Sequence, residues 1–414
     1  MSSGKAGSFL QFFPSSWSPL SLPIMRYTFT FDAFLAAVCL GLSAPASVWG
    51  IPFPRGHELP ATHIDSTEAS HHFANVSRRA PTQFTLPLTP LLTNTGREMG
   101  YVASVKIGSN PIPYRVLMDS GSSDFWLVSD TCPQLGGRLP IGRSTSRTVR
   151  PFDQRTYSAI YEDGSSVVGT MVTDTVYIEG RLLPQYPFGA CNMLIGTPAT
   201  STYDGVMGFG FTESAQNEMA TILDCLTKAG YLPNGMSGWK FSRNLDGRND
   251  GEITFGGENF AKFFKERQVL VPNLSSGLGK KWEFNIDGIS MDGLQVTRAR
   301  VGIVDTGTSV LSVDEADAHA IHSPISGAVL LRDGSYGIPC SAQPKLSITI
   351  NGRPFDVDPR DIIGDRITAD ICFSNIVPDK RRKAGEWLLG IAFLKNVYLT
   401  LDVAGNQMGF AELR

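Results

Sequence analysis

From Phe84 onward the chain is dominated by short runs in which apolar and polar positions alternate. FTLPLTPLL (Phe84 to Leu92) and YVASVKIG (Tyr101 to Gly108) have the period of two that predicts strands with one buried face. Asn110-Pro111 then turns the chain into PYRVLMD, an apolar strand that runs into Asp119. After a patternless Gly/Pro/Arg segment (Cys132 to Arg150), SAIYEDGSSVVGTMVTDTVYI (Ser158 to Ile178) places two β-rich runs around Glu162-Asp163-Gly164, which predicts a protruding hairpin. FGACNMLI (Phe188 to Ile195) reads as another strand. ATILDCLTKAGYL, from Ala220, has helical spacing with Gly230 as its stop. GWKFSRNL and GEITFGG are further short strands. In the second half, WEFNIDGISMDG (Trp282 to Gly293) reads as a strand pair turning at Asp287-Gly288, DEADAHAIHSPI as a short helix, and PKLSITINGRPFDV as a hairpin turning at Asn351-Gly352.

Length and composition extend this picture. At 414 residues the chain exceeds the usual size of one core, so two lobes of roughly 150 residues each are expected. With 42 Gly and 26 Pro among Val-, Ile- and Thr-rich runs, the fold class is mostly β. The 36 Lys and Arg nearly balance 39 Asp and Glu, which argues against nucleic acid as a partner. The basic run Lys380-Arg381-Arg382-Lys383 reads as a solvated loop between strands. Six scattered His, with His319 and His322 lacking suitable neighbours, imply no metal site and no cofactor.

The N-terminal region reads as address and processing. Residues 1–24 are Ser/Pro-rich and look like an extension ahead of the native start at Met25. Met25 to Ala46, with the apolar core FLAAVCLGL, reads as a signal peptide, and 47–79, ending in Arg78-Arg79, as a propeptide. Residues 80–262 and 263–414 are then the two lobes of the mature chain. Its C-terminus carries no apolar tail, so no membrane anchor is expected, and secretion is favoured over a vacuolar destination. Asn75 and Asn273 lie in sequons; only Asn273 would survive as a glycosylation candidate. Five cysteines remain after the signal peptide, an odd number whose pairing the sequence alone leaves open.

The strongest signal is an internal echo. VLMDSGSSDFWLVS (Val116 to Ser129) returns as VGIVDTGTSVLSV (Val301 to Val313), and Asp305 follows Asp119 by 186 residues. A single Asp-Ser/Thr-Gly is an ordinary turn. Here both copies follow an apolar run, and each precedes an apolar-apolar-Gly unit, Val206-Met207-Gly208 and Leu388-Leu389-Gly390. Gly121 lets the chain turn where a side chain would clash. Two such aspartates facing each other would share one proton, one acting as base and the other as acid, to activate water against a peptide bond. Ser122 and Thr308 can donate to the carboxylates and hold them coplanar. A glycosidase also uses two carboxylates, but it would not need the duplicated motif.

On these residues the mature chain resembles a pepsin-like aspartic protease of the fungal secreted type over nearly all of 84–414. The resemblance implies two β-rich lobes about a central cleft, a flap hairpin over the cleft and a six-stranded sheet joining the lobes. It implies a secreted, monomeric endopeptidase that acts on protein or peptide substrates at acid pH and is inhibited by pepstatin. Asp119 and Asp305 match the catalytic pair, Ser122 and Thr308 the orienting hydroxyls, and Gly121 and Gly307 backbone contacts to substrate. Tyr161, Asp163, Gly164 and Thr308 match substrate-binding positions, Trp126 the support of the flap tyrosine, WLLGIAF and DVAGNQMGFA the C-terminal strands, and Cys340 with Cys372 the second-lobe disulfide. The chain departs from the family at the flap, where Glu162 replaces a glycine. Asp163 there implies tolerance of a basic residue just before the cut, with large apolar ones preferred. A catalytically silent peptide-binding relative is the alternative from another class.

Overall fold

The computed structural model describes residues 82–414. The signal peptide, the propeptide and Asn75 lie outside the described residues.

The alternating pattern becomes a run of antiparallel strands: β1 (Phe84–Leu92), β2 (Glu98–Ile107), β3 (Tyr114–Asp119) and β4 (Phe125–Val128). Three long strands follow, β5 (Arg150–Ile160), β6 (Ser166–Ile178) and β7 (Arg181–Ile195), then β8 (Gly205–Gly208), β9 (Met236–Lys240) and β10 (Gly251–Phe255). Burial along β1 alternates strictly over its first five residues, as half-buried strands require. The helix at Ile222–Lys228 is capped by the Thr221 side chain, which accepts from the Asp224 amide, and Gly230 leaves it at φ 74°.

The second half contributes β11 (Val269–Pro272), β12 (Glu283–Met291), β13 (Leu294–Val304) and β14 (Leu311–Val313). Then come β15 (Val329–Leu330), β16 (Tyr336–Pro339), β17 (Leu346–Ile350), β18 (Arg353–Val357), β19 (Ile363–Arg366) and β20 (Ile371–Ser374). The last are β21 (Ile376–Pro378), β22 (Glu386–Leu389), β23 (Val397–Asp402) and β24 (Gln407–Glu412). The Asn351-Gly352 turn has φ of 47° and 75°, the positive pair a tight two-residue hairpin demands.

The structure departs from the sequence pattern at three places. β12 does not turn at Asp287-Gly288 but runs through it and turns at Asp292-Gly293, with φ of 52° and 80°. Both Asp-Gly pairs suit a turn, but turning at the first would lift Ile286 and Ile289, both buried, out of the core. The end of WLLGIAF belongs to a helical turn, Ile391–Leu394, rather than to a strand. The basic run is only partly a solvated loop: Lys380 and Lys383 side chains are 84% and 90% exposed, whereas that of Arg382 is 5% exposed and ion-paired.

Six strands in the order β11-β24-β23-β9-β10-β1 form a sheet drawn from both halves, in which β23 pairs antiparallel with β9. It joins the two halves, as the resemblance implies. A buried charge cluster also crosses the halves: Lys395 Nζ meets Glu98 Oε2 at 2.8 Å and Asp361 Oδ1 at 2.6 Å, and Arg243 holds Asp361 Oδ2 at 2.6 Å.

The halves echo each other around the repeated motif. β3 pairs in parallel with β8, and β13 with β22, while β4 and β14 each run antiparallel to that same neighbour. The apolar-apolar-Gly units thus lie beside the motif turns. A Cβ on Gly208 would sit 2.6 Å from the Ser122 carbonyl oxygen, and one on Gly390 2.4 Å from that of Thr308, so only glycine lets these strands pack so closely.

Candidate active site

Asp119 ends β3, and Asp305 follows β13 directly, so the paired strands deliver both carboxyls to the wall between the halves. The surrounding geometry is nearly symmetric. Gly121 N donates to Asp119 Oδ1 at 2.8 Å and Ser122 Oγ to Oδ2 at 2.5 Å. Gly307 N donates to Asp305 Oδ1 at 2.8 Å and Thr308 Oγ1 to Oδ2 at 2.7 Å.

The motif glycines do not serve the turn itself, since neither Gly121 nor Gly307 has a positive φ. They serve the opposite carboxylate. A Cβ on Gly121 would lie 2.5 Å from Asp305 Oδ1, and one on Gly307 would lie 2.5 Å from Asp119 Oδ1. Each half thus supplies the vacancy that the other half's aspartate fills, so that the two carboxyls act on each other electrostatically. Burial first, and the Asp305 carboxyl second, push Asp119 up to about 8, against the opposing bonds from Ser122 and Gly121. The pair therefore holds a proton well above the ordinary carboxylate range.

The middle residue of each motif, which sequence reasoning passed over, ties the turns together. Ser120 N donates to Thr306 Oγ1 at 2.9 Å and Thr306 N to Ser120 Oγ at 3.0 Å, while Thr306 Oγ1 donates on to the Met118 carbonyl oxygen at 2.8 Å. All of these groups are buried, so the bonds are shielded from water and fix the turns relative to each other. The duplication itself was the available signal, because a hydroxyl stands at the same place in both copies.

The cleft above the carboxyls has a volume of about 790 Å³, and its walls come from both halves. Tyr161, Asp163, Gly121, Gly307 and Thr308 line it; Gly164 sits in the hairpin turn at φ 84° and does not. The β5–β6 hairpin overhangs this space, and the Tyr161 hydroxyl accepts from Trp126 Nε1 at 2.6 Å. The Asp163 carboxylate accepts from Ser165 N and Oγ and from Thr197 Oγ1; burial raises its pKa, but these bonds outweigh that and hold it below the usual range.

A second support of the hairpin was not legible. β5 is the outer strand of its sheet, and two side-chain amides stand in for a missing neighbour. Gln216 exchanges bonds of 3.0 Å with both the N–H and C=O of Ile160, and Asn217 bonds those of Ser158 at 3.1 and 2.9 Å. Buried Asp124, five residues past Asp119, holds both amide residues through their backbone N–H groups and Asn217 Nδ2.

Away from the cleft, Cys340 and Cys372 form a disulfide at the small β15–β16–β20–β19 sheet, and Cys132, Cys191 and Cys225 are free. The sequon residue Asn273 is buried, with Oδ1 accepting from the Glu283 and Ser275 amides and Nδ2 donating to Asn406 Oδ1. Among the described residues no group of acidic, His and Cys side chains could hold a metal, and no helix is long and apolar enough to cross a membrane.

The profile of the family described as eukaryotic aspartyl protease matches residues 100–413. A probable aspartic-type endopeptidase CTSD of Arthroderma benhamiae is 32% identical over 333 residues, covering 79% of this chain and 64% of the relative. Its namesake in Arthroderma otae is 33% identical over 299 residues, 71% of this chain and 77% of the relative. Rhizopuspepsin-4 of Rhizopus niveus is 28% identical over 330 residues, 78% and 79% respectively. The chain thus spans just under two thirds of the length of the first of these relatives.

Proposed function

The chain belongs to the eukaryotic aspartyl protease family, and on that premise we propose that it is an endopeptidase that cleaves peptide bonds at acid pH with a water activated by Asp119 and Asp305. The observation that carries this reading is the reciprocal fit of each aspartate into the space left by the opposite motif's glycine. Two buried carboxyls in such proximity share one proton. The ionised member takes a proton from the attacking water, and the protonated member donates to the carbonyl oxygen of the scissile bond. When the tetrahedral intermediate collapses, the C–N bond breaks, the aspartate that took the water's proton passes it to the departing amine, and the other aspartate takes a proton back from a hydroxyl of the intermediate, which restores the dyad. Both aspartates enter the reaction already fixed by Ser122, Thr308 and the two glycine amides, so little reorganisation is needed.

Leu117, Ile303 and Leu388 in the cleft wall support a preference for large apolar side chains beside the cut, and the ionised Asp163 supports tolerance of a lysine just before it. We read the enzyme as a secreted monomer released by cleavage after Arg79, with residues 80–262 and 263–414 as its lobes and a vacuolar destination as the alternative. The test is digestion of a denatured protein at roughly pH 3–5 with and without pepstatin. Cleavage abolished by pepstatin is expected; cleavage that ignores it, or that persists only at alkaline pH, would remove the reading.

A further inference from the structure

The hairpin over the dyad is tied at its tip to the opposite wall. Lys281 Nζ donates to Glu162 Oε1, Arg382 Nη2 to Glu162 Oε2, and Arg381 Nη1 to the Glu162 carbonyl oxygen. Three cations from two separate loops of the second half thus converge on one residue of the first. Their own settings are firm: Arg382 is buried, 3.0 Å from Glu386 Oε1 and 3.6 Å from Asp379 Oδ2, and Arg381 makes a two-pronged pair with Asp379. The neighbouring carboxylate, Asp163, turns instead to Ser165 and Thr197. The cleft beneath keeps its roughly 790 Å³, the size of a site that holds a small ligand. The tied hairpin tip spans this cleft from one wall to the other.

We propose that Glu162 is a positioning residue that latches the flap to the second-half wall, and that breaking its ion pairs gates entry and exit of the peptide. The identity of the ligand rests on the proteolytic reading; the latch does not. Lys281 and Arg382 outweigh the upward effect of burial and hold the Glu162 carboxyl below the usual range, so the latch keeps its charge to lower pH than a free glutamate would. The Lys281–Glu162 pair is partly exposed, at 36% and 41%, so dissolved salt weakens that pair most.

Hydrogen–deuterium exchange of the segment 158–168 in the ligand-free protein tests the latch directly. Glu162→Gln is expected to speed exchange there by about fivefold or more, since it loses one partly exposed ion pair and one with the shielded Arg382. Lys281→Met, at a half-exposed site that leaves the fold intact, gives a smaller increase. Raising salt to about 0.5 M should speed the wild-type segment toward the variant's rate and leave the variant unchanged, a response that a merely structural role would not give. Equal exchange and equal salt response in wild type and Glu162→Gln would overturn the latch. Pepstatin should leave Glu162→Gln several times faster than wild type, and equal residence times would overturn the gate. If pepstatin bound neither protein, the proteolytic reading would fail while the exchange result still decided the latch.

Discussion

Replacing Asp119 with Asn should change how stability depends on pH, by an amount the site geometry sets. In the folded protein Asp119 titrates at about 8, against an ordinary 3.8. A carboxyl whose folded pKa is raised stabilises the fold fully below its unfolded value and loses that contribution as pH rises through the folded one. Between pH 4 and 7 the folded state therefore holds about one proton more than the unfolded chain, and stability falls by about 1.4 kcal/mol per pH unit from this source. Over three units the loss approaches about 4 kcal/mol, a large part of a typical folding free energy. Asp119→Asn carries no such proton and leaves Asp305 beside a neutral amide, so the decline should largely vanish. Urea unfolding of both proteins at pH 4 and pH 7 measures this, and other titrating groups cancel in the difference between them. Parallel declines in wild type and variant would refute the shared, buried proton.

Further outcomes follow from other contacts. Gly121→Ala places a Cβ where Asp305 Oδ1 now lies, 2.5 Å away; kcat should fall by about 100-fold with the fold retained by circular dichroism. Lys395→Met leaves Glu98 and Asp361 without their shared cation in a buried cluster, and thermal unfolding should show a loss of about 3–5 kcal/mol while activity per folded molecule is kept. His322, buried against Tyr336 with both ring nitrogens bonded, is lowered to about 4, first by burial. The unfolded imidazole takes up its proton at higher pH than the folded one, so stability drops as pH falls from 6.5 to 4; His322→Phe should remove about 3 kcal/mol of that drop.

The strands, the hairpin over Glu162-Asp163-Gly164 and the two aspartates were legible because each rests on a local pattern: alternation, turn chemistry, a repeated turn. Asp287-Gly288 misled because it carries the same turn chemistry as Asp292-Gly293, and only the burial of Ile286 and Ile289 distinguishes them. The contacts between Ser120 and Thr306 depend on how two distant turns face each other, which no local pattern encodes. The same holds for Glu162 with Lys281 and Arg382: a charge run has no visible partner until the fold supplies one 220 residues away. Gln216 and Asn217 left no trace at all, since side-chain amides in a loop say nothing about the strand edge they complete.

The most direct test of the dyad compares peptide hydrolysis at acid pH by wild type, Asp119→Asn and Asp305→Asn, each verified as folded. Loss of kcat by about 100- to 10,000-fold in each single variant is predicted, because either Asn removes half of a proton-sharing acid and base. Wild-type turnover by either variant would contradict it.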